Sequence, residues 1–220
     1  HPFTRKGETM KTGKIVVISK LKGGSGATTL TRELATAALD AGQPVAIIDL
    51  DAQGSLTNWW NRRTAANSAA GPKLIQLSPE KLPDMMEQLR GKFDLVLIDT
   101  PPSTHDALRK IASKADMAVI PTKPTPDDLD AVGPVIRQLR GVVPMAFVIS
   151  QITSKRSPDV VEATELLSAR APVIGRTVIR VGYYRAAGVG QSGFETDKTV
   201  REEIATVYDN LMALLGDYHA

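Results

Sequence analysis

Five short runs of apolar residues punctuate the chain: KIVVIS (14–19), PVAIID (44–49), FDLVLID (93–99), DMAVIPT (116–122) and PMAFVIS (144–150). They are rich in Val and Ile and too apolar to keep one face in water, so each predicts a strand buried on both sides. KLIQL (73–77) and GRTVIR (175–180) predict two weaker strands. Between the runs the spacing becomes helical. Residues 28–41 set Leu30, Leu34, Ala37, Ala38 and Ala41 at helical intervals. Ser78-Pro79 predicts a second helix start, with serine as cap and proline in the first turn. Thr125-Pro126-Asp127-Asp128 predicts a third, its acids placed where the helix dipole favours them. Residues 197–215 predict the last helix, with Val200, Ile204, Val207, Leu211 and Leu215 on one stripe. Strands alternating with helices predict an α/β fold, a mostly parallel twisted sheet flanked by helices in three layers.

Composition narrows the classes. The 220 residues suffice for one sizeable α/β domain, and 42% of them are hydrophobic. No apolar run approaches the roughly 18 residues of a membrane span, which predicts a soluble protein without a membrane partner. The chain has no cysteine. Disulfides, thiolate-ligated zinc and iron–sulfur clusters are therefore excluded, and a cytoplasmic location is expected. Residues 1–9 (HPFTRKGET) read as a cloning remnant or a disordered start ahead of Met10, leaving 10–220 as a single domain.

Three strand ends carry candidate chemistry. The first leads into KLKGGSGATT (20–29), a glycine loop between a strand and a helix. Gly23, Gly24 and Gly26 let successive backbone N–H groups converge on an anion at the helix start. Thr28 and Thr29 supply hydroxyls. Position 27, where a phosphate loop usually carries lysine, holds Ala27. The second is IIDLDAQGSLTNWW (47–60), with Asp49 at the strand end and Asp51 at its tip; the third is LVLIDTPPS (95–103), which delivers Asp99. In an open parallel sheet these carboxyl ends form the ligand crevice. A carboxylate there can position water or hold hydrated magnesium.

Taken together these stretches resemble the ParA family of deviant Walker-type ATPases. The family loop K-G-G-x-G-K-[ST]-[ST] corresponds to Lys22-Gly23-Gly24-Ser25-Gly26-Ala27-Thr28-Thr29, and D-x-D-P-Q-G to Asp49-Leu50-Asp51-Ala52-Gln53-Gly54. LIDTPPS and VIPTKPTPDDLDA match two later family segments, and the similarity runs from about residue 13 to the last helix. The resemblance implies a P-loop NTPase fold, ATP or ADP with Mg2+ as cofactors, and hydrolysis as the activity. By it, residues 23–29 would bind nucleotide and Thr28 would ligate the metal, with Thr29 at the α-phosphate. Lys22 would reach the partner's phosphates across a nucleotide-sandwiched homodimer. Asp51 would orient the attacking water, with Asp49 and Asp99 near the metal. It also implies a nucleoid-associated DNA-segregation protein that binds nonspecific DNA and answers to a centromere-binding or adaptor partner.

Ala27 departs from that pattern. Either it is an engineered inactivating change or it is native, with Lys20 or Lys22 supplying the missing charge. A native alanine favours an alternative reading, a non-hydrolysing nucleotide-binding or apo scaffold that recruits a partner protein. Residues 137–185 hold eight Lys or Arg against three Asp or Glu, a net of +5. Arg156, Arg176, Arg180 and Arg185 in this stretch are the candidate DNA-phosphate contacts. Solvated charge is the alternative for each alone. Trp59 and Trp60 suit packing better than base stacking, and His105 has no metal-like companion.

Overall fold

The computed structural model describes residues 13–19, 22–66, 71–102 and 106–217; residues 1–9, Lys20 and His105 lie outside these. Seven strands form one sheet: β1 (Lys14–Ile18), β2 (Val45–Asp49), β3 (Lys73–Leu74), β4 (Leu95–Asp99), β5 (Met117–Thr122), β6 (Met145–Ile152) and β7 (Val173–Val178). All pairs are parallel, in the order β3-β2-β4-β1-β5-β6-β7. The five apolar runs supply the five central strands. KLIQL contributes only two residues, at one edge, and β7 at the other edge begins two residues before GRTVIR.

The helices are α1 (Ala27–Asp40), α2 (Ser55–Ala65), α3 (Leu82–Arg90), α4 (Asp106–Ala112), α5 (Pro126–Leu139), α6 (Pro158–Ser168), α7 (Val181–Gly188), α8 (Gly193–Thr196) and α9 (Lys198–Asp217). Alternate strand residues point to opposite faces. Val16 and Ile18 enter a core with α1, α2 and α7 to α9, while Ile15 and Val17 meet α3 and α4 on the other side. Ala118, Ile120, Phe147 and Ile149 continue that second side under α5 and α6. Burial on both faces is why these strands are almost wholly apolar.

One expected helix start moves. Ser78-Pro79 does not open α3; residues 79–81 form a turn and the helix begins at Leu82, with Pro83 in its first turn. A helix running from Pro79 would place Pro83 in its interior. There the ring would clash with the carbonyl four residues back and remove a hydrogen bond. Starting at Leu82 avoids both. Thr125 caps α5 as expected, accepting from the Asp128 N–H, and α9 lies within two residues of its expected span.

Candidate functional site

The site gathers where central strands end. Ile18 is in register with Asp99, and Asp99 with Asp49, so three chain segments leave the sheet side by side. From β1 the chain enters the glycine loop, with Gly24 at φ 81° and Gly26 at φ 91°. Only glycine adopts these left-handed values without strain. Gly26 occupies the cap position of α1 with no side-chain cap, and the first turn holds no acid. The starts of α5, α6 and α8 differ: Thr125, Ser157 and Ser192 each accept from an amide three residues on. The first amides of α1 are thus left for an anion, at the positive end of a 14-residue helix.

Thr28 donates its hydroxyl proton to Asp99 Oδ2 at 2.6 Å, and Asp99 is fully buried. Hard oxygen donors of this kind suit magnesium. No cluster of three or more His, Cys, Asp or Glu that could hold a metal exists among the described residues. A cation here would lean on Thr28, phosphate oxygens and water, with Asp99 in support. The buried Ser25 hydroxyl, which makes no hydrogen bond among the described residues, adds a further oxygen to the loop. Asp49 sits beside Asp99 but is committed to its own turn. Its Oδ1 accepts from the Asp51 N–H at 3.1 Å, and its Oδ2 from the Thr57 N–H and hydroxyl at 2.9 and 3.0 Å. Asp51 accepts from the Gln53 N–H at 3.0 Å and stands half-buried at the mouth, before a second uncapped helix start at Gly54.

The end of β6 clamps the loop from above. Ser150 donates to the Ser25 carbonyl at 2.8 Å, and Gln151 Nε2 to the Gly24 carbonyl at 2.7 Å. Gln151 adopts φ 56° where the pairing of β6 with β7 slips between Ile149 and Ile152. The irregularity aims its side chain at the loop. Beyond Gln151 opens a cavity of about 240 Å3, with Gly26, Thr29 and Leu30 on one side and Val178, Ile179 and Tyr184 on the other. Its surface is mostly apolar with a few polar groups, a lining suited to a flat heterocycle. In sequence, Ser150 and Gln151 fall in VISQI (148–152), a segment that by the family resemblance would lie at adenine-side or at dimer or DNA contacts.

Lys22 is exposed and lies 3.3 Å from the buried carboxylate of Asp128 in α5. Ala27 is buried in the core cluster under α1, and Thr29 lines the cavity. The basic candidates separate into two pairs. Arg156 and Arg185 are exposed. Arg176 donates to the Thr164 hydroxyl at 3.0 Å and Arg180 to Glu203 at 2.7 Å. Lys155 joins Arg176 along one groove. Trp59 is buried and donates to the Gln191 carbonyl, while Trp60 donates to that of Pro72, so both pack.

Glu33 in α1 went unnoticed in the sequence, where it reads as an ordinary helix acid. It is fully buried, accepts from the Gly193 and Phe194 amides at 3.1 and 2.7 Å, and pairs with Arg32 at 3.3 Å. Burial pushes its carboxyl above the usual range, against the opposing pull of Arg32 and the two amides. Arg32 in turn donates to the Tyr183 carbonyl at 2.7 Å. The helix that starts at the loop is thereby fastened to the wall of the cavity.

Residues 16–190 match the model of the CobQ/CobB/MinD/ParA nucleotide binding domain. A 96-residue stretch is 40% identical to the maintenance of carboxysome distribution protein A of Gloeobacter kilaueensis, covering 43% of this chain and 41% of that relative. The septum site-determining protein MinD of Pyrococcus horikoshii, solved with Mg-ADP, superimposes with a TM-score of 0.72 at 19% identity, over 94% of this chain and 98% of that one. A plasmid partition protein of Borrelia burgdorferi gives a TM-score of 0.68 at 19% identity, over 92% and 99%.

Proposed function

Because the chain belongs to the CobQ/CobB/MinD/ParA nucleotide-binding family, we propose that it is a ParA-type ATPase that positions a cargo. In this reading it binds ATP with Mg2+ and dimerises around nucleotide. The observation that carries it is the uncapped, left-handed Gly26 turn facing the Thr28–Asp99 pair. The amides of the turn cradle the phosphates, and Thr28 offers its hydroxyl to the metal. Gln151 and the apolar cavity receive the base, leaving Asp51 at the mouth to orient water. Bound magnesium would neutralise charge on the phosphates. The names of the relatives, carboxysome distribution and plasmid partition, support a positioning role.

The loop works below strength. A hydrogen bond from an ammonium to phosphate is worth about 1.5–3 kcal/mol. Ala27→Lys is therefore expected to tighten ATP binding by up to about a hundredfold, at roughly 1.4 kcal/mol per decade, and by less where another cation already meets the phosphates. Hydrolysis should rise at least as much. Calorimetric titration and phosphate release on both proteins measure this. Release from the unaltered chain that stays at background despite bound ATP supports the second reading, which Ala27 itself favours: a nucleotide-bound scaffold without turnover.

Nonspecific DNA is the proposed surface on which the cargo moves. Arg156 and Arg185 are its exposed contacts; Arg176 and Arg180 are held by Thr164 and Glu203 and shape the surface instead. Arg156→Glu and Arg185→Glu should each weaken binding to unrelated duplexes to the same degree and lower the salt slope by about one. Fluorescence anisotropy at several salt concentrations reads both effects. Binding that is insensitive to salt, or confined to one sequence, would refute the patch.

A further inference from the structure

Position 27 places no cation at the loop, yet the fold brings one in from the neighbouring strand. Lys123 directly follows β5, which pairs with β1, the strand that feeds the loop. Its Nζ lies 3.9 Å from the point where a side chain on Gly24 would begin. The side chain is half-buried, and Lys123 makes no ion pair among the described residues. Lys22 differs. It lies 3.3 Å from Asp128 Oδ1, and that carboxylate is nearly inaccessible to water. Pulling Lys22 away would leave that nearly buried carboxylate to the Thr125 hydroxyl and the start of α5 alone, a costly step. Lys22 is thus paired within its own chain, whereas Lys123 stands over the loop with no ion-pair partner among the described residues.

We propose that Lys123 supplies, from the β5–α5 turn, the phosphate-binding ammonium that position 27 lacks. The inference rests on the reading of the loop as a nucleoside triphosphate site. Lysine suits the task because its compact ammonium acts as a point charge at the end of a flexible stem and needs no fixed fork geometry. Gly24 leaves the space that the ammonium crosses, and its φ of 81° excludes most larger residues there. Lys123 also belongs to the turn that ends in Thr125, the cap of α5, and α5 carries Asp128. One turn therefore presents the Lys123 ammonium and, three residues past its cap, holds Lys22.

A double-mutant cycle tests this, because two cations serving the same phosphates cannot contribute independently. ATP with Mg2+ is titrated by calorimetry into the unaltered chain, Lys123→Met, Ala27→Lys and the double variant. Methionine keeps the apolar stem and removes only the charge, and equal thermal midpoints confirm an intact fold. Lys123→Met should weaken binding by about ten- to a hundredfold in the unaltered background. In the Ala27→Lys background the loss should be much smaller, and Lys123→Arg should retain most of the affinity. No loss in the unaltered background, or an equal loss in both, overturns the role of Lys123. Absence of ATP binding to the unaltered chain and to Ala27→Lys alike would instead overturn the nucleotide reading on which it stands.

Discussion

Gly26→Val will eliminate detectable ATP binding. The backbone at Gly26 has φ 91° and ψ 8°, and a β-branched residue there is a steric outlier. Holding it costs about 1–3 kcal/mol, so the turn will relax toward negative φ and swing the first amides of α1 off the anion. The new Cβ would also stand 3.2 Å from Gln151 Nε2. That contact pushes away the amide that secures the Gly24 carbonyl. Gly42→Ala separates strain from function. Gly42 has φ 77° just beyond the far end of α1 and open space around its Cα. It should lower the melting temperature comparably and leave ATP affinity unchanged. If the valine variant binds like the unaltered protein, the anion is not held by this turn.

The largest stability loss is expected from Glu33→Ala. The substitution leaves Arg32 without its carboxylate and orphans the Gly193 and Phe194 amides in the interior. Breaking one side of a buried ion pair costs about 3–5 kcal/mol. Urea unfolding should show a lower midpoint at unchanged slope. A loss below about 1 kcal/mol, the worth of one ordinary hydrogen bond, would mean that water reaches the network. Because Arg32 also holds the Tyr183 carbonyl, ATP affinity should fall in the same variant as the cavity wall loosens.

Strands were legible in the sequence because both faces of this sheet are covered. Ile15 to Ile18, Ala46 to Ile48 and Val96 to Ile98 have no exposed atoms, so their apolar character is unbroken. The loop was legible because left-handed turns demand glycine at Gly24 and Gly26. The start of α3 was not, since two prolines compete and only the second suits a first helical turn. Residues 55–65 carried no helix expectation: among them only Leu56, Trp59 and Arg63 are buried, too few for a clear stripe. Glu33 was hidden for a different reason. Its partners stand 160 and 161 residues away, and no local spacing announces a carboxylate that serves remote amides. Lys123 likewise gains meaning only once β5 lies beside β1.

The strand order also dictates when the loop can come into being. Among the described strands β1 comes first in the chain, yet its neighbours are β4 and β5; Lys14 waits for Leu95 and Val16 for Met117. During synthesis the glycine loop therefore emerges long before anything can hold its flanks. Its carbonyls wait longer still, for Ser150 and Gln151. Such distant pairing makes folding slow, because long stretches of chain must be ordered before any contact repays them. The glycine loop thus waits 125 residues, the separation of Ser25 from Ser150, before its carbonyls are held. A half-made protein therefore lacks the contacts that hold the loop in the folded one.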